Sequence, residues 1–459
     1  MTEVIPEGCL WDLGEPAFVD SDAEPNDVSS DVLIVGAGFT GLWTAYYLRV
    51  LAPHLSITIL EKHRIGFGAS GRNGGWASAL LPMSVQSLVT HHGVEATRST
   101  FATMNAAVDE IVGHGRAWGI GDTISKGGWI QLAHSVAQLD RLYEQIRVAE
   151  ELGIPEALGV VLGADEARSK VDSRDSRGGL FDENCAAIHP GTLVRTLGNE
   201  VRRRGVTIIE GVSVLAIEPG GVLTDRGPMR APIVLRATEA FTASMTRMRR
   251  RIVPLYSLMV ATEPLPREVI DSIISPSRPT FNDARHLIVY GQRTPDDRIA
   301  FGGRGAPYHM GSRISPDFDH DQRVAGMLVS TLRDMFPVLS QHRFTHHWGG
   351  PLGAPRDWHC SVQFDPATGL GHAGGYVGDG VTTTNVSARA LVDLVLGRDT
   401  PLAHLPWVGH RHRSWEPEPV RWIAINALTR LAAMADARER SSGRRAHRIE
   451  WLLDRVLGH

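Results

Sequence analysis

The chain has 459 residues, of which 42% are hydrophobic and 21% charged, and a formal net charge of −4. That length exceeds what one hydrophobic core normally serves, so two or three domains are expected, and the composition is that of a globular rather than a disordered or fibrous protein. The slight negative charge argues against nucleic acid as a partner, and the basic runs at residues 202–204 and 249–251 read as solvated helix ends.

Residues 1–30 are acidic and rich in Asp, Pro and Ser, unlike a signal peptide, and read as an irregular arm over the surface. Residues 31–35 then form a strand and 39–50 a helix, and SITILE (56–61) the next strand of a βαβ unit. The uncharged run 32–48 is too short for a membrane span and is interrupted by glycines, so no membrane partner is expected. From 85 to 148 the pattern is helical, with one short strand around SKGGWIQLAHS. HPG at 189–191 opens a proline-started helix that ends at Gly205, followed by the strand VTIIEG, a hairpin, and the strand APIVLRAT. Residues 241–344 are mixed, with strands at YSLMVATEPL, HLIVYGQ and RIAFGGRG. The chain then returns to a glycine turn at 349–350 and a late helix after GGYVGDGV. Residues 415–459 are Arg-rich and helical, and the amphipathic stretch 422–435 is expected to dock on the nucleotide-binding half. The cysteines Cys9, Cys185 and Cys360 are odd in number and widely spaced, which favours a reduced, cytoplasmic setting.

The strongest local signal is Gly36-Ala37-Gly38-Phe39-Thr40-Gly41, which follows a strand, opens a helix and precedes the strand-ending carboxylate of Glu61. In that context Gly36 permits the tight turn, Gly38 lets backbone approach a pyrophosphate, and Gly41 lets helix and strand pack closely. The helix N-terminus offers N–H groups to phosphate, and Glu61 is suited to ribose hydroxyls. This fingerprint alone does not separate NAD from FAD. A second glycine-rich loop, IGFGASGRNGGW, follows at once, with Ser70, Arg72 and Asn73 as polar groups for phosphate or flavin oxygens. Its glycines, Gly74 and Gly75 above all, leave room for a large flat group beside the backbone.

With LEK at 60–62, GASGRNGG, the HPG unit, Ala237-Thr238, WGG at 348–350 and GGYVGDGV, the chain resembles the D-amino-acid-oxidase-like flavoenzymes from residue 31 to 397. The SGRNGG form is most similar to the γ-glutamylputrescine oxidoreductase branch. The resemblance implies an α/β FAD-binding Rossmann-like domain of the glutathione-reductase type and an α+β substrate domain with a mixed or antiparallel sheet. Their expected extents are 31–84, 150–240 and 345–414 for the first, and 85–149 and 241–344 for the second. It implies that Gly36, Gly38, Phe39, Thr40, Gly41, Glu61 and Lys62 hold the ADP half of FAD. It further implies that Ala69, Ser70, Gly71, Arg72, Asn73, Gly74 and Gly75 run from the pyrophosphate to beneath the flavin. On the same resemblance Val214 would meet the adenine, Thr238 and Trp348 would belong to the same site, and Gly375, Gly378, Asp379, Gly380, Val381 and Thr382 would cover the pyrimidine end of the ring. Two departures stand out: Asp379 occupies the late loop, where we expect it as an outward-turned helix N-cap, and Glu239 replaces a frequent glycine after Thr238. Cys360 lies too near the late loop to match the attachment cysteine of sarcosine-oxidase relatives, so non-covalent FAD is expected.

The implied reaction is oxidation of a primary or secondary amine or amino acid to an imine, with O2 reduced to H2O2; positioning and desolvation dominate and no essential base is assigned. Arg304 is the candidate for a substrate carboxylate, Tyr308 and His309 for orienting an amine, and Trp129 and Tyr256 for pocket walls. No metal is expected, since His346 and His347 are adjacent in a strand. Monomer and homodimer are both compatible with the sequence. The alternatives are a dehydrogenase with another electron acceptor and an aromatic flavin monooxygenase. The second is disfavoured because GDGVTTTN lacks the proline of that class. A flavoprotein scaffold without catalysis is the third reading.

Overall fold

The computed structural model describes residues 4–12, 29–245, 248–447 and 449–451. Its first unit is β1 (Val32–Val35), α1 (Phe39–Leu51) and β2 (Ile57–Leu60). All four β1 residues are buried, as expected of a strand with neighbours on both edges and layers on both faces. It pairs in parallel with β2 on one side and with Ile233–Arg236 on the other. The full sheet has six strands in the order Ser361–Asp365, Leu370–Gly374, Ile233–Arg236, β1, β2 and Thr207–Ile209, with an antiparallel pair at one edge.

Side-chain alternation along β1 sorts its residues between two cores. Val32 and Ile34 join α1, Pro190–Arg203 and the late helix Gly380–Val395, whereas Leu33 and Val35 face Val222 and Met229 of a three-stranded antiparallel sheet. Gly36 ends β1 with its N–H donated to Leu60 O at 2.8 Å and a φ of +108°. That angle favours glycine, and a Cβ would stand 2.5 Å from Ala237 O.

A second, eight-stranded mixed sheet runs in the order Phe344–Ala354, Val253–Thr262, Ile299–Gly303, Val289–Arg293, Thr280–Asp283, Trp129–Ala133, Gly178–Asp182 and Val160–Gly163. Only Thr280–Asp283 and Trp129–Ala133 pair in parallel. The helix Gln322–Met335 covers one face through Val324, Leu328 and Leu332. The expected α/β plus α+β architecture is thus present, but its division along the chain differs. Val160–Gly163, Gly178–Asp182 and Phe344–Ala354, expected in the nucleotide half, are strands of the eight-stranded sheet. Val94–Ala117, expected in the substrate half, packs Met104, Val108 and Ile111 against α1 and Gly380–Val395. Its apolar stripe finds a partner there that a linear reading of the chain does not reveal.

Three further expectations are corrected. Gly349 and Gly350 are not a turn but the middle of a strand, opposite Leu258 and Ser257. The absence of side chains there admits the Arg72 stem, since a Cβ on Gly350 would lie 2.7 Å from Arg72 Cδ. The N-terminal arm, as far as it is described, is not superficial: Ile5, Leu10 and Trp11 are buried, and Pro6 O accepts the His347 N–H at 2.8 Å. The rest of that arm, and residues 452–459, lie outside the described residues. The C-terminal helix Val420–Ser442 docks on the eight-stranded half instead of the nucleotide half. Asp436 accepts the N–H groups of His286 and Leu287 at 2.8 and 2.9 Å, and Asn426 and Tyr308 exchange backbone–side-chain bonds at 3.2 Å. Among the described residues no helix is long and apolar enough to cross a membrane.

Candidate functional site

A cavity of about 410 Å3 opens between the two sheets. One end is formed by Glu61, Lys62 and the 212–215 segment, the middle by Gly36 to Thr40 and Gly68 to Ser70, and the other end by Leu352, Tyr376, Gly378 and Gly380. Two helices therefore present their N-termini to one space: α1, whose N-cap is Gly38, and Gly380–Val395, whose N-cap is Asp379. Neither N-cap residue makes a side-chain capping bond; in α1 the Phe39 N–H is taken by Ser70, and the N–H groups that follow, like the first ones of Gly380–Val395, are placed for an anionic or polar ligand.

Of the residues singled out from the sequence, the cavity is lined by Gly36, Gly38, Phe39, Thr40, Glu61, Lys62, Ala69, Ser70, Asn73, Val214, Thr238, Gly378, Gly380 and Val381. Gly41, Gly71, Arg72, Gly74, Gly75, Trp348, Gly375, Asp379 and Thr382 stand behind this wall. Gly41 and Gly71 have matching local roles, because a Cβ on either would overlap the carbonyl oxygen five residues earlier, of Gly36 and Gly66 respectively. Glu61 does more than await a ligand. Its carboxylate accepts the N–H of Ala37 and of His63, each at 2.8 Å, and so ties both loops to the end of β2. Burial raises its pKa, and those two hydrogen bonds oppose the rise.

The second glycine loop is suspended from outside by its carbonyls. Arg72 O accepts the Trp348 indole N–H at 3.0 Å, Asn73 O that of Trp11 at 2.8 Å, and Gly74 O and Gly75 O the Gln292 amide at 2.8 and 3.1 Å. Four consecutive carbonyls are thus taken by donors on the eight-stranded sheet and the N-terminal arm. Ser70 Oγ accepts the Phe39 N–H at 2.9 Å and links the loop to the start of α1. The Asn73 side chain closes the loop on itself, donating to Ala69 O and Ser70 O and accepting from Gly75 N. Arg72 is the main departure from expectation. Its guanidinium is not offered to a phosphate: it pairs with Asp319 at 2.6 Å, donates to Gly349 O at 3.1 Å, and lies over the Phe67 ring. Arg72 thus fastens the loop to the second sheet. Burial raises the Asp319 pKa against the pull of this arginine.

At the far end, Glu239 lines the cavity with a φ of +39°, which explains why glycine suits this position. Its carboxylate accepts the N–H of Gly375 at 2.9 Å and of Tyr376 at 3.2 Å, offsetting the strain by fixing the late loop. Burial pushes its pKa up to about 7, and pushes that of the adjacent Arg236 down to about 10. The loop continues through Val377, a β-branched residue at φ +52°, whose carbonyl accepts from Arg304 Nη2 at 2.9 Å. Asp379 holds the N-cap position but makes no capping bond. Burial pushes its pKa up to about 6, with Arg304 opposing the rise. Asp379 therefore holds the expected N-cap position without the capping bond. Thr382, one turn on, has a buried hydroxyl with no hydrogen-bond partner among the described residues.

The substrate candidates separate. Arg304 adjoins the Gly378 end of the cavity, with its guanidinium 5.4 Å from the Trp358 ring centre, and burial lowers its pKa. Tyr256 and His309 cluster with Phe318 beside the Arg72–Asp319 pair; the His309 ring stacks on Phe318 at 3.5 Å. Tyr308 is remote: its hydroxyl bonds Glu418 at 2.7 Å and Ser312 at 3.1 Å beneath the C-terminal helix. Trp129 is a core residue whose indole donates to Asn282 at 2.9 Å. None of the five is among the residues that line the cavity; Arg304 lies nearest, behind Gly378, and the polar tips of Tyr308 and Trp129 are satisfied inside their own cores. Cavity residues that the sequence reading passed over include Phe67, Phe241, Met245 and Tyr376. The aromatic in IGFG was the available signal for the first of them.

This donor set fits a dinucleotide carrying a flat ring. Two helix N-termini, the Glu61 carboxylate at the end of β2, and a far end lined by Pro351, Leu352, Tyr376 and Glu239 occur along one elongated space. Comparison with known proteins agrees. The FAD dependent oxidoreductase family model matches residues 31–394. The γ-glutamylputrescine oxidoreductase of Escherichia coli strain K12 is 28% identical over 400 residues, covering 85% of this chain and 89% of the relative. The probable oxidoreductase OrdL of Rhizobium meliloti strain 1021 is 27% identical over 387 residues, with 82% and 86% covered. Among solved structures, glycine oxidase from Geobacillus kaustophilus aligns with a TM-score of 0.67 at 21% identity, covering 84% of this chain and 99% of its own, and so shares the fold.

Proposed function

The chain belongs to the FAD-dependent oxidoreductase family, with FAD as its cofactor, and from that premise we propose that it oxidises the C–N bond of a primary or secondary amine or amino acid. The substrate loses two electrons and two protons to become an imine, water hydrolyses the imine to a carbonyl compound and an amine or ammonia, and O2 takes the electrons to give H2O2. FAD, held without a covalent bond, supplies the two-electron acceptor. The single observation that carries this reading is the continuous cavity from Glu61 to the Gly378–Gly380 helix start, with Arg304 just behind Gly378 at that end. The relative from Escherichia coli is named for γ-glutamylputrescine, an amine, which supports the same substrate class.

The chain's own residues act by binding and orientation. Glu61 and the α1 N-terminus hold the nucleotide half, and the loop 69–75 is kept in place by Arg72, Trp11, Trp348 and Gln292. Glu239 and Arg304 fix the late loop from two sides, so that its helix N-terminus stays aimed into the cavity. Arg304 uses one of its five N–H donors on Val377 O; the others are suited to a substrate carboxylate. The acceptor end is lined by Leu352, Pro351 and Tyr376, and this apolar wall excludes water from a neutral amine.

The test is an anaerobic titration of the purified yellow protein with monoamines, diamines, N-alkyl amino acids and the D- and L-amino acids. We expect at least one amine to abolish the yellow absorbance, and air to restore it with release of H2O2. Reduction by NAD(P)H alone, with no response to any amine, would contradict the proposal.

A further inference from the structure

Behind the late loop, and outside the cavity, three ligand-type side chains converge. His410 Nε2 lies 2.8 Å from one oxygen of Asp357, His412 Nδ1 lies 3.0 Å from the other, and the three ligand atoms fall within 4.8 Å of one another. We propose that Asp357, His410 and His412 form a binding site for one divalent transition-metal ion of the Zn2+ class. Two imidazoles and one carboxylate are the donors of open zinc sites and suit Zn2+ far better than the oxygen-seeking Mg2+ or Ca2+. The spacing agrees as well. Ligand atoms about 2.1 Å from a common ion, at cis or tetrahedral angles, stand roughly 3.0–3.4 Å apart. The two imidazole–carboxylate spacings are a few tenths of an ångström short of this, and the imidazole nitrogens, within 4.8 Å of each other, would draw together on the ion.

A second trio, His286, Glu439 and Glu450, shows why the first is the candidate. There the Arg141 guanidinium bonds both carboxylates, at 2.8 and 2.7 Å, and already fills the place of a cation. Among the described residues Asp357 forms no ion pair with Arg or Lys, and its two oxygens meet the two imidazoles. The ligands are also held in advance by separate supports. Trp358 N–H closes a tight turn onto Pro355 O at 3.2 Å, which sets Asp357. His410 is pinned to the Ser361–Asp365 strand, since Ser361 Oγ donates to His410 O at 2.7 Å and Gly409 N–H to Val362 O at 2.9 Å. The His359 ring stacks on that of His410 at 4.0 Å and shields one side. Asp357 and His410 each keep about a quarter of their side-chain surface, which leaves entry for the ion and a position for water.

The site has a structural consequence for the neighbouring loop. His412 Nε2 lies 3.5 Å from the position of a Cβ on Gly375, the first residue of the loop that Glu239 and Arg304 hold. An ion would fasten the Asp357 turn and the 409–412 segment together against that loop and stiffen it. No electron passes through the ion. Zinc ligands bind in their deprotonated forms, so binding releases protons.

The test uses the full-length, FAD-containing protein, stripped with a chelator, desalted and titrated with ZnCl2. We expect one zinc retained per chain by elemental analysis and a rise in Tm with ZnCl2 but not with MgCl2. Asp357→Asn should weaken zinc binding at least about tenfold, by analogy with the loss of any ligand or its support. His410→Gln, a change at a partly exposed ligand, gives an independent variant with the same expectation. Failure to retain zinc, an unchanged Tm, or zinc affinity unaffected by either substitution (as surface histidines elsewhere would give) would overturn the proposal. Amine oxidation and FAD content are measured on the same samples, so that loss of the metal site is distinguished from loss of the oxidase.

Discussion

Glu239 offers a prediction whose size follows from its surroundings. Its carboxylate is pushed up from 4.5 to about 7 because burial outweighs the N–H bonds it accepts. A folded-state pKa above the unfolded one means that the native state holds the proton more tightly between these values. Stability contributed by this group is then complete below about pH 4.5 and declines as pH rises to about 7. The whole decline is about 3 kcal/mol. Glu239→Gln has no proton to lose, and retains one acceptor for the late loop. For a 459-residue chain the unfolding entropy is roughly 1 kcal/mol per kelvin. The Tm of Glu239→Gln minus that of the parent should therefore increase by about 3 °C between pH 5 and pH 8. Thermal unfolding of both proteins, at four or five pH values and constant ionic strength, measures it. A difference that stays flat with pH, or that shrinks as pH rises, would refute the burial argument.

The remaining predictions concern the second glycine loop and the remote tyrosine. Gly75→Ala forces a Cβ onto the Gln292 amide and within 2.6 Å of Ile188 O, at a φ of +74°; we expect about 2–4 kcal/mol of destabilisation, read by urea unfolding, and weaker retention of FAD. Arg72→Leu leaves Asp319 without its cation and should lose about 2–3 kcal/mol, with part recovered on adding Asp319→Asn; additive single effects in a double-mutant cycle would refute the pairing. Tyr308→Phe removes bonds to Glu418 and Ser312 and should lower stability by about 1–2 kcal/mol, visible in thermal unfolding. Its kcat/KM for the best amine should stay within about twofold, because this hydroxyl lies under the C-terminal helix.

How far the sequence reaches is visible residue by residue. The βαβ opening was legible because VLIV, the glycine spacing and the strand-ending Glu61 are local features with fixed periods. The late helix and the 190–203 helix were legible for the same reason. The roles of Arg72, Trp11 and Gln292 were not, because each depends on a partner 62 to 247 residues away in the chain. Periodicity carries no record of such approaches. The sheet that receives each strand is equally hidden, and so the boundaries at 160–182 and 344–354 moved although the strand of residues 178–182 and its neighbours have ordinary patterns. Glycines misled in both directions. Gly349 and Gly350 look like a turn and are a strand, while Glu239 looks like an anomaly and is the support of the late loop.

The claim on which the rest depends is that the cavity between Glu61 and Gly380 takes FAD without a covalent bond. Acid precipitation of the purified protein measures it directly. One equivalent of FAD should appear in the supernatant, leaving a colourless pellet, and Gly36→Ala, whose Cβ would press on Ala237 O, should release less. A colourless protein that takes up no FAD on reconstitution, or flavin that stays with the precipitated chain, would contradict it.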